Sequence, residues 1–143
     1  SNNVLTLNSK NLANDGNIIS SDDIVITALK SFVNNNQIVS DKDLTISANV
    51  LTNNSQLISN KNIKLNITTS LTNSSNSNIS ASSNLDIDSA SVNNFGNIRI
   101  GLQHRMKLFT AQYIYLNTGK GLIYTTNTCS TKNNVANGTK SND

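Results

Sequence analysis

Two carboxylates carry the most chemistry this sequence offers. Asp86 and Asp88 flank Ile87, so on an extended strand both project from one face. Paired carboxylates at that spacing suit general acid and base work of the kind solenoid lyases and hydrolases perform on polysaccharide. The competing reading sets Asp86 beside Lys64 and Asp88 beside Asn66 on the neighbouring strand, as an ion pair and a hydrogen bond, and it is the one favoured. Asp22-Asp23 and Asp41-Lys42-Asp43 read as turns, and no Gly-Gly-x-Gly-x-Asp series accompanies them to build a repeated calcium loop.

The remaining reactive residues stand alone. His104 is the only histidine, in Gln103-His104-Arg105-Met106-Lys107, with no Cys or acidic neighbour to complete a metal ligand set. Two basic residues there are too few for a nucleic-acid surface, so a solvated turn is expected. Gly119-Lys120-Gly121 lacks the spaced first glycine and the following Ser or Thr of a phosphate loop. Cys129 has no partner for an internal disulfide and no base beside it to make a nucleophile. Asn66-Ile67-Thr68 is a glycosylation sequon of the sort an Asn- and Thr-rich chain produces by accident. The expectation is no catalytic residue, no cofactor-binding or metal-binding residue, no enzyme activity and no nucleic-acid partner.

The elements that would position these residues follow from a repeat. Leu5, Ile24, Leu44, Ile63 and Leu85 recur at intervals of 19, 20, 19 and 22 along the chain. Two residues on stand Leu7, Ile26, Ile46, Leu65 and Ile87, and two further on Ser9, Ala28, Ala48, Ile67 and Ser89. Each unit therefore opens with the period-2 alternation of a strand that buries one face. A second apolar column runs through Leu12, Phe32, Leu51, Leu71 and Val92, each followed two residues later by Asn14, Asn34, Asn53, Asn73 or Asn94. Ile18, Ile38, Leu57, Ile79 and Ile98 form a further column, preceded by Asn17, Gln37, Gln56, Asn78 and Asn97. The fourth unit reaches Ile79 only through a two-residue insertion near 74–77.

A unit this short cannot bury its apolar face alone, but stacked coils can. The expected fold is all-β, a right-handed parallel β-helix of about five coils of about 20 residues, with apolar columns as internal ladders. Asn suits the corners because it tolerates positive φ, because its carboxamide bonds nearby backbone, and because stacked amides bond one another. The Asn-Gly hairpin signal between alternating runs, which a sandwich would need, is missing from residues 5–100.

Composition agrees. Asn, Ser and Thr make up 62 of the 143 residues, charged residues 13% and aromatics 4%, and Pro and Trp are absent. Ile, Leu, Val and Phe number 39, too many for a disordered chain at a net charge of +3. No apolar run approaches the ~18 residues of a membrane span. The opening Ser1-Asn2-Asn3-Val4-Leu5 has neither the charged nor the apolar region of a signal peptide, and the chain reads as a piece of something longer. Residues 1–101 form the repeat segment, with net charge −1. Residues 102–143 carry net charge +4 and four of the six aromatics, Phe109, Tyr113, Tyr115 and Tyr124. Residues 102–124 are expected to form a capping hairpin or one irregular coil, and 125–143 a disordered tail.

The unit Leu44-Thr45-Ile46-Ser47-Ala48-Asn49-Val50-Leu51-Thr52-Asn53, followed by Gln56-Leu57-Ile58-Ser59, resembles the filamentous haemagglutinin repeat. Asn14-Asp15-Gly16-Asn17-Ile18 and Asn94-Phe95-Gly96-Asn97-Ile98 carry the family's turn glycine. That repeat builds the stalk of secreted bacterial exoproteins of the two-partner secretion system, among them adhesins, haemagglutinins and contact-dependent growth-inhibition proteins. The resemblance covers residues 5–100. It implies a stalk segment on the bacterial surface or secreted from it, spacing an adhesive or toxic tip that serves virulence or competition. The implied partners are an outer-membrane transporter and a host or neighbouring-cell surface, with no membrane insertion. The alternative is a module whose outer Thr/Ser/Asn face binds carbohydrate or a receptor directly. Less favoured is a solenoid enzyme acting on polysaccharide through Asp86 and Asp88.

Overall fold

The computed structural model describes the backbone of residues 3–100, 105–116, 122–124, 128–131 and 140–141, and the side chains of 3–99. The chain winds as a β-solenoid. Each coil holds one long strand and one short one: β1 (Leu5–Asn14) and β2 (Ile18–Ser20), β3 (Ile24–Asn34) and β4 (Gln37–Ser40), β5 (Leu44–Asn53) and β6 (Gln56–Ser59). The fourth and fifth coils are β7 (Ile63–Asn73) with β8 (Asn78–Ala81), and β9 (Leu85–Asn94) with β10 (Asn97–Ile100). Long strands stack in one sheet and short strands in another, every pair within the five coils parallel. No helix is present among the described residues.

The register is the one the repeat dictates. Leu5 pairs with Ile24, Ile24 with Leu44, Leu44 with Ile63 and Ile63 with Leu85. The columns through Leu7, Ser9, Leu12, Asn14 and Ile18 stack in the same order. Alternation sends these side chains inward, and from coil two onward the apolar ones are sealed: Ile26, Phe32, Ile46, Leu51, Leu65, Leu71 and Ile87 are all 0% exposed. Burying each large aliphatic side chain stabilises the stack by about 1.5–3 kcal/mol.

A register shift bends each long strand, between Ser9 and Asn11 in the first coil and between Ala28 and Ser31 in the second. The bend turns the strand from one wall of the coil to the next. It also explains why Leu29, caught in the bulge, is 73% exposed.

The expectation that corner asparagines serve through positive φ is corrected. Among the described residues the single non-glycine with positive φ is Asn76, at 66°, inside the two-residue insertion of coil four. The corner asparagines act through their side chains instead. Asn14 Nδ2 donates to Asn34 Oδ1 at 2.9 Å, Asn34 to Asn53 at 2.9 Å, Asn53 to Asn73 at 2.8 Å and Asn73 to Asn94 at 2.9 Å.

Beyond the fifth coil, β11 (Arg105–Leu116) pairs parallel with β9, and β12 (Leu122–Tyr124) pairs parallel with β10. β11 and β12 lie in different sheets, each on the same wall of the solenoid as the strand it pairs with. β13 (Thr128–Thr131) pairs parallel with β11, and β14 (Lys140–Ser141) antiparallel with β12. Two short paired strands thus lie within 125–143, where the composition led to an expectation of disorder; the rest of that stretch lies outside the described residues.

Candidate functional site

Side chains that point outward on adjacent coils form columns roughly 4.7–4.9 Å apart, whatever their chemistry. One such region is a shallow groove of about 280 Å³ lined by Asp43, Thr45, Asn62, Ile63, Lys64, Asn84 and Asp86. Thr45, Lys64 and Asp86 share a register column on β5, β7 and β9. Asp43, Asn62 and Asn84 each immediately precede one of those strands.

Asp43, one of the two acids of the groove, is already engaged. Asp43 Oδ1 accepts Asn62 Nδ2 at 3.0 Å and the Asn62 backbone N–H at 3.3 Å. It belongs to a polar ladder in which each side-chain oxygen takes the backbone N–H of the equivalent residue one coil on. Asp43 N–H donates to Asp23 Oδ1 at 3.0 Å, and Asn84 N–H to Asn62 Oδ1 at 3.1 Å.

Asp86 and Asp88 flank the fully buried Ile87 and project outward; Asp88 is exposed. Their register neighbours are Lys64 and Asn66. The interactions expected of those neighbours are not the ones formed. Among the described residues the ion pair within 4.0 Å is Lys42 to Asp22, and Lys64 makes none with Asp86. Asn66 Nδ2 turns to Ser47 Oγ at 3.4 Å and not to Asp88. Exposed side chains on a flat sheet gain little from closing such pairs, so adjacency in register did not become contact. Asp88 is open to solvent.

Asp22, Asp23, Asp41, Lys42 and Asp43 meet at the second corner. Lys42 Nζ donates to Asp22 Oδ1 at 2.6 Å, with the lysine 40% and the aspartate 16% exposed. The Lys42 hydrogen bond, opposed by desolvation and helped by its charge and by the Asn3 backbone N–H, holds the Asp22 carboxyl below its ordinary value. The same bond and charge raise Lys42 above its ordinary value. Among the described residues no three His, Cys, Asp or Glu side chains group as metal ligands.

His104 and Gly119-Lys120-Gly121 lie outside the described residues. Cys129 sits on β13 at the register position of Met106 on β11.

The groups that do most here were visible in the sequence as a pattern and not as a site. Ser20, Ser40 and Ser59 recur three residues ahead of Asp23, Asp43 and Asn62. Each serine Oγ accepts the backbone N–H two residues on: Asp22 at 3.0 Å, Lys42 at 3.1 Å and Lys61 at 2.9 Å. Ser40 Oγ donates back to the Asp22 carbonyl at 2.7 Å. An outer ladder at the first corner joins Asn35 to Asp15 at 2.8 Å and Asn54 to Asn35 at 2.8 Å. The polar side chains of these corners are engaged within their own turns and with the neighbouring coil.

Comparison of the chain with family models, with curated proteins and with solved structures returned no match.

Proposed function

We propose that this chain is a spacer: a stalk segment of a secreted or surface-exposed bacterial exoprotein, holding an adhesive or toxic tip away from the cell. The observation that carries the reading is that the inward columns and the corner ladders serve stacking. The inward positions are apolar ladders, and the corner polar side chains bond the equivalent residue of the next coil. A molecule organised this way transmits position along an axis. It needs no bound group for that, and its chemistry is not enzymatic. The likeness of 44–59 and its sister units to the filamentous haemagglutinin repeat supports the bacterial and secreted setting, and with it a β-barrel transporter as partner.

Sequencing the gene on both sides of this segment tests the proposal. Further repeats, an upstream secretion domain and an adjacent transporter gene are the expected result. Unrelated domains on both sides would sink the secretion reading.

A second reading has its own observation, the groove between Asp43, Lys64 and Asp86. Its hydroxyl, amide and charged lining suits a sugar's hydroxyls better than an apolar ligand. Saturable binding of the isolated chain on a glycan array, weakened by Lys64→Ala, would favour it over the spacer. The absence of binding across the array would remove it.

A further inference from the structure

We propose that the outer wall where β11 lies beside β9 is a contact surface for a neutral, β-linked polysaccharide, built on the register that sets Tyr113 beside Ser91 and Tyr115 beside Asn93. This deepens the sugar-binding reading, on which it rests for the class of ligand. The contact moves past the strand bend, to a wall that shares no residue with the groove.

The first observation is how the register sorts the apolar residues that follow the five coils. Met106, Leu108, Ile114 and Ile123 pair with Leu85, Ile87, Val92 and Ile98, all 0% exposed. The four aromatics go to the other columns. Phe109 and Tyr124 pair with the exposed Asp88 and Arg99, and Tyr113 and Tyr115 with the half-buried Ser91 and Asn93. Within residues 1–101 the aromatics are Phe32, in the core, and Phe95, at a corner, so no outward strand column holds one before β11. Strand propensity favours aromatics on either face and does not account for this sorting. Tyr113 and Tyr115 stand two residues apart on one strand, about 6.6 Å, and of the four aromatics only they share a wall.

The second observation is what the same two columns carry on coils four and five. Ser70 and Thr72 pair with Ser91 and Asn93. Among the described residues the side chains of Ser70, Thr72 and Asn93 make no hydrogen bond, and Ser91 Oγ makes one, to the Thr69 carbonyl at 3.4 Å. The corner side chains, by contrast, are engaged with the rod. The hydroxyls and the carboxamide of this wall keep their hydrogen-bonding capacity for a ligand.

The third observation is charge. From Asn11 and Ala13 on β1 to Tyr113 and Tyr115 on β11 neither column contains a charged residue, whereas the column that begins at Thr6 carries Lys64, Asp86 and Lys107. An anionic polymer finds no cation on this wall. An apolar segment laid on it would strip water from Ser91 and Asn93 without replacing their hydrogen bonds. A neutral β-linked hexose chain meets both demands. It is extended, its ring faces carry C–H groups that suit tyrosine rings, and its edges carry hydroxyls.

The test is affinity electrophoresis of the 143-residue chain in native gels. The gels contain hydroxyethyl cellulose or galactomannan, which are neutral with β-linked backbones, or alginate, which is anionic. Retardation by a neutral polymer is expected. Tyr113→Ala together with Tyr115→Ala should raise its Kd at least about tenfold, and Tyr113→Phe together with Tyr115→Phe, which keeps the rings, should retain most of the binding. Asn93→Ala removes no hydrogen bond within the described residues, so its thermal midpoint should match the parent's while its Kd rises about fivefold. Lys64→Ala should leave binding unchanged. Weakening by Lys64→Ala with no effect of the paired tyrosine changes would return the sugar to the groove, overturning this proposal and keeping that reading. Retardation by alginate alone, by no polymer, or to an unchanged extent in the Asn93→Ala variant would overturn it as well.

Discussion

Replacing Asn53 by Ala tests whether the buried amide ladder holds the stack together. Asn53 is 0% exposed. Its Nδ2 donates to Asn73 Oδ1 at 2.8 Å, to the Ser55 carbonyl at 3.0 Å and to the Asn78 carbonyl at 3.1 Å, and its Oδ1 accepts Asn34 Nδ2 at 2.9 Å and the Ser55 backbone N–H at 3.4 Å. Alanine removes all five. Two of the orphaned groups keep other partners, since Asn34 Nδ2 also reaches the Gln56 carbonyl at 3.1 Å and Asn73 Oδ1 also takes Ser77 Oγ at 3.0 Å. At about 1 kcal/mol net for each bond, and more for any group left dry and unpaired, the loss is about 3–5 kcal/mol. Asn14→Ala at the open end removes only the bond to Asn34 and the one from Gly16, at a site water can reach, and should cost about 1–2 kcal/mol. Urea unfolding followed by circular dichroism measures both.

Asn53→Asp sharpens the test. One carboxylate oxygen there keeps the Asn34 Nδ2 and Ser55 N–H donors, but the other stands where Nδ2 was, against the oxygens of Asn73, Ser55 and Asn78, and that repulsion together with burial favours the protonated form in the folded state. The folded variant then holds its proton to higher pH than the unfolded chain, so its stability falls as pH rises above about 4. Asn53→Asp should therefore be worse than Asn53→Ala at pH 7 and approach it near pH 4. Equal costs for Asn53→Ala and Asn14→Ala, or a pH-independent Asn53→Asp, would refute the ladder's role.

Three more outcomes are expected. Ile46→Asp puts a charge at a 0% exposed position and should unfold the rod, while Thr45→Asp on the outer face should change its thermal midpoint little; equal midpoints would overturn the register. Gly96→Ala drives a Cβ against the Ser77 carbonyl and to 2.5 Å from the Ser74 carbonyl, whereas a Cβ on Gly16 has nothing within 4 Å, so the first should destabilise clearly and the second should be neutral or gain up to about 1 kcal/mol. Deleting Ser75 and Asn76 from the coil-four insertion should make Gly96→Ala tolerable, and a thermal melt of the double variant decides it. Asp22→Asn should flatten the pH profile of stability at its two ends. The Asp22 carboxyl lies below its ordinary 3.8 and Lys42 above its ordinary 10.5, so their contribution is constant between those values and is lost as pH falls below the first, through the lowered carboxyl value, or rises above the second, through the raised lysine value. An unchanged profile would show that the pair does not form in solution.

The fold was legible because a solenoid writes one constraint many times. A single Leu-x-Ile-x-Ala run is ambiguous, but Leu5, Ile24, Leu44, Ile63 and Leu85 kept in phase with six other columns admit one register, and the strands pair in it. The two-residue insertion before Ile79 was legible for the same reason, and its consequence was not. Nothing local says that Gly96 must lack a side chain, because the carbonyls that forbid one belong to Ser74 and Ser77 in the coil before. Gly16, alike in sequence, lies open. The two glycines match the same family turn for different reasons, one of them supplied entirely by a neighbour.

The surface was less legible than the core, and the cause is energetic. Inward positions are fixed by burial worth kilocalories, so register predicts contact there. Outward positions are governed by interactions near the thermal energy, and register predicts only proximity. Lys64 beside Asp86 and Asn66 beside Asp88 are neighbours that do not close, whereas Asn34 and Asn53, removed from water, bond at 2.9 Å. The same chemistry of side chain thus acts structurally or not according to which wall of the coil it faces. On that ground the polar residues to trust in such a repeat are the buried asparagines, because water cannot compete for them. They are also what gives the rod a direction, since each carboxamide Nδ2 in the ladder donates toward the coil of higher number.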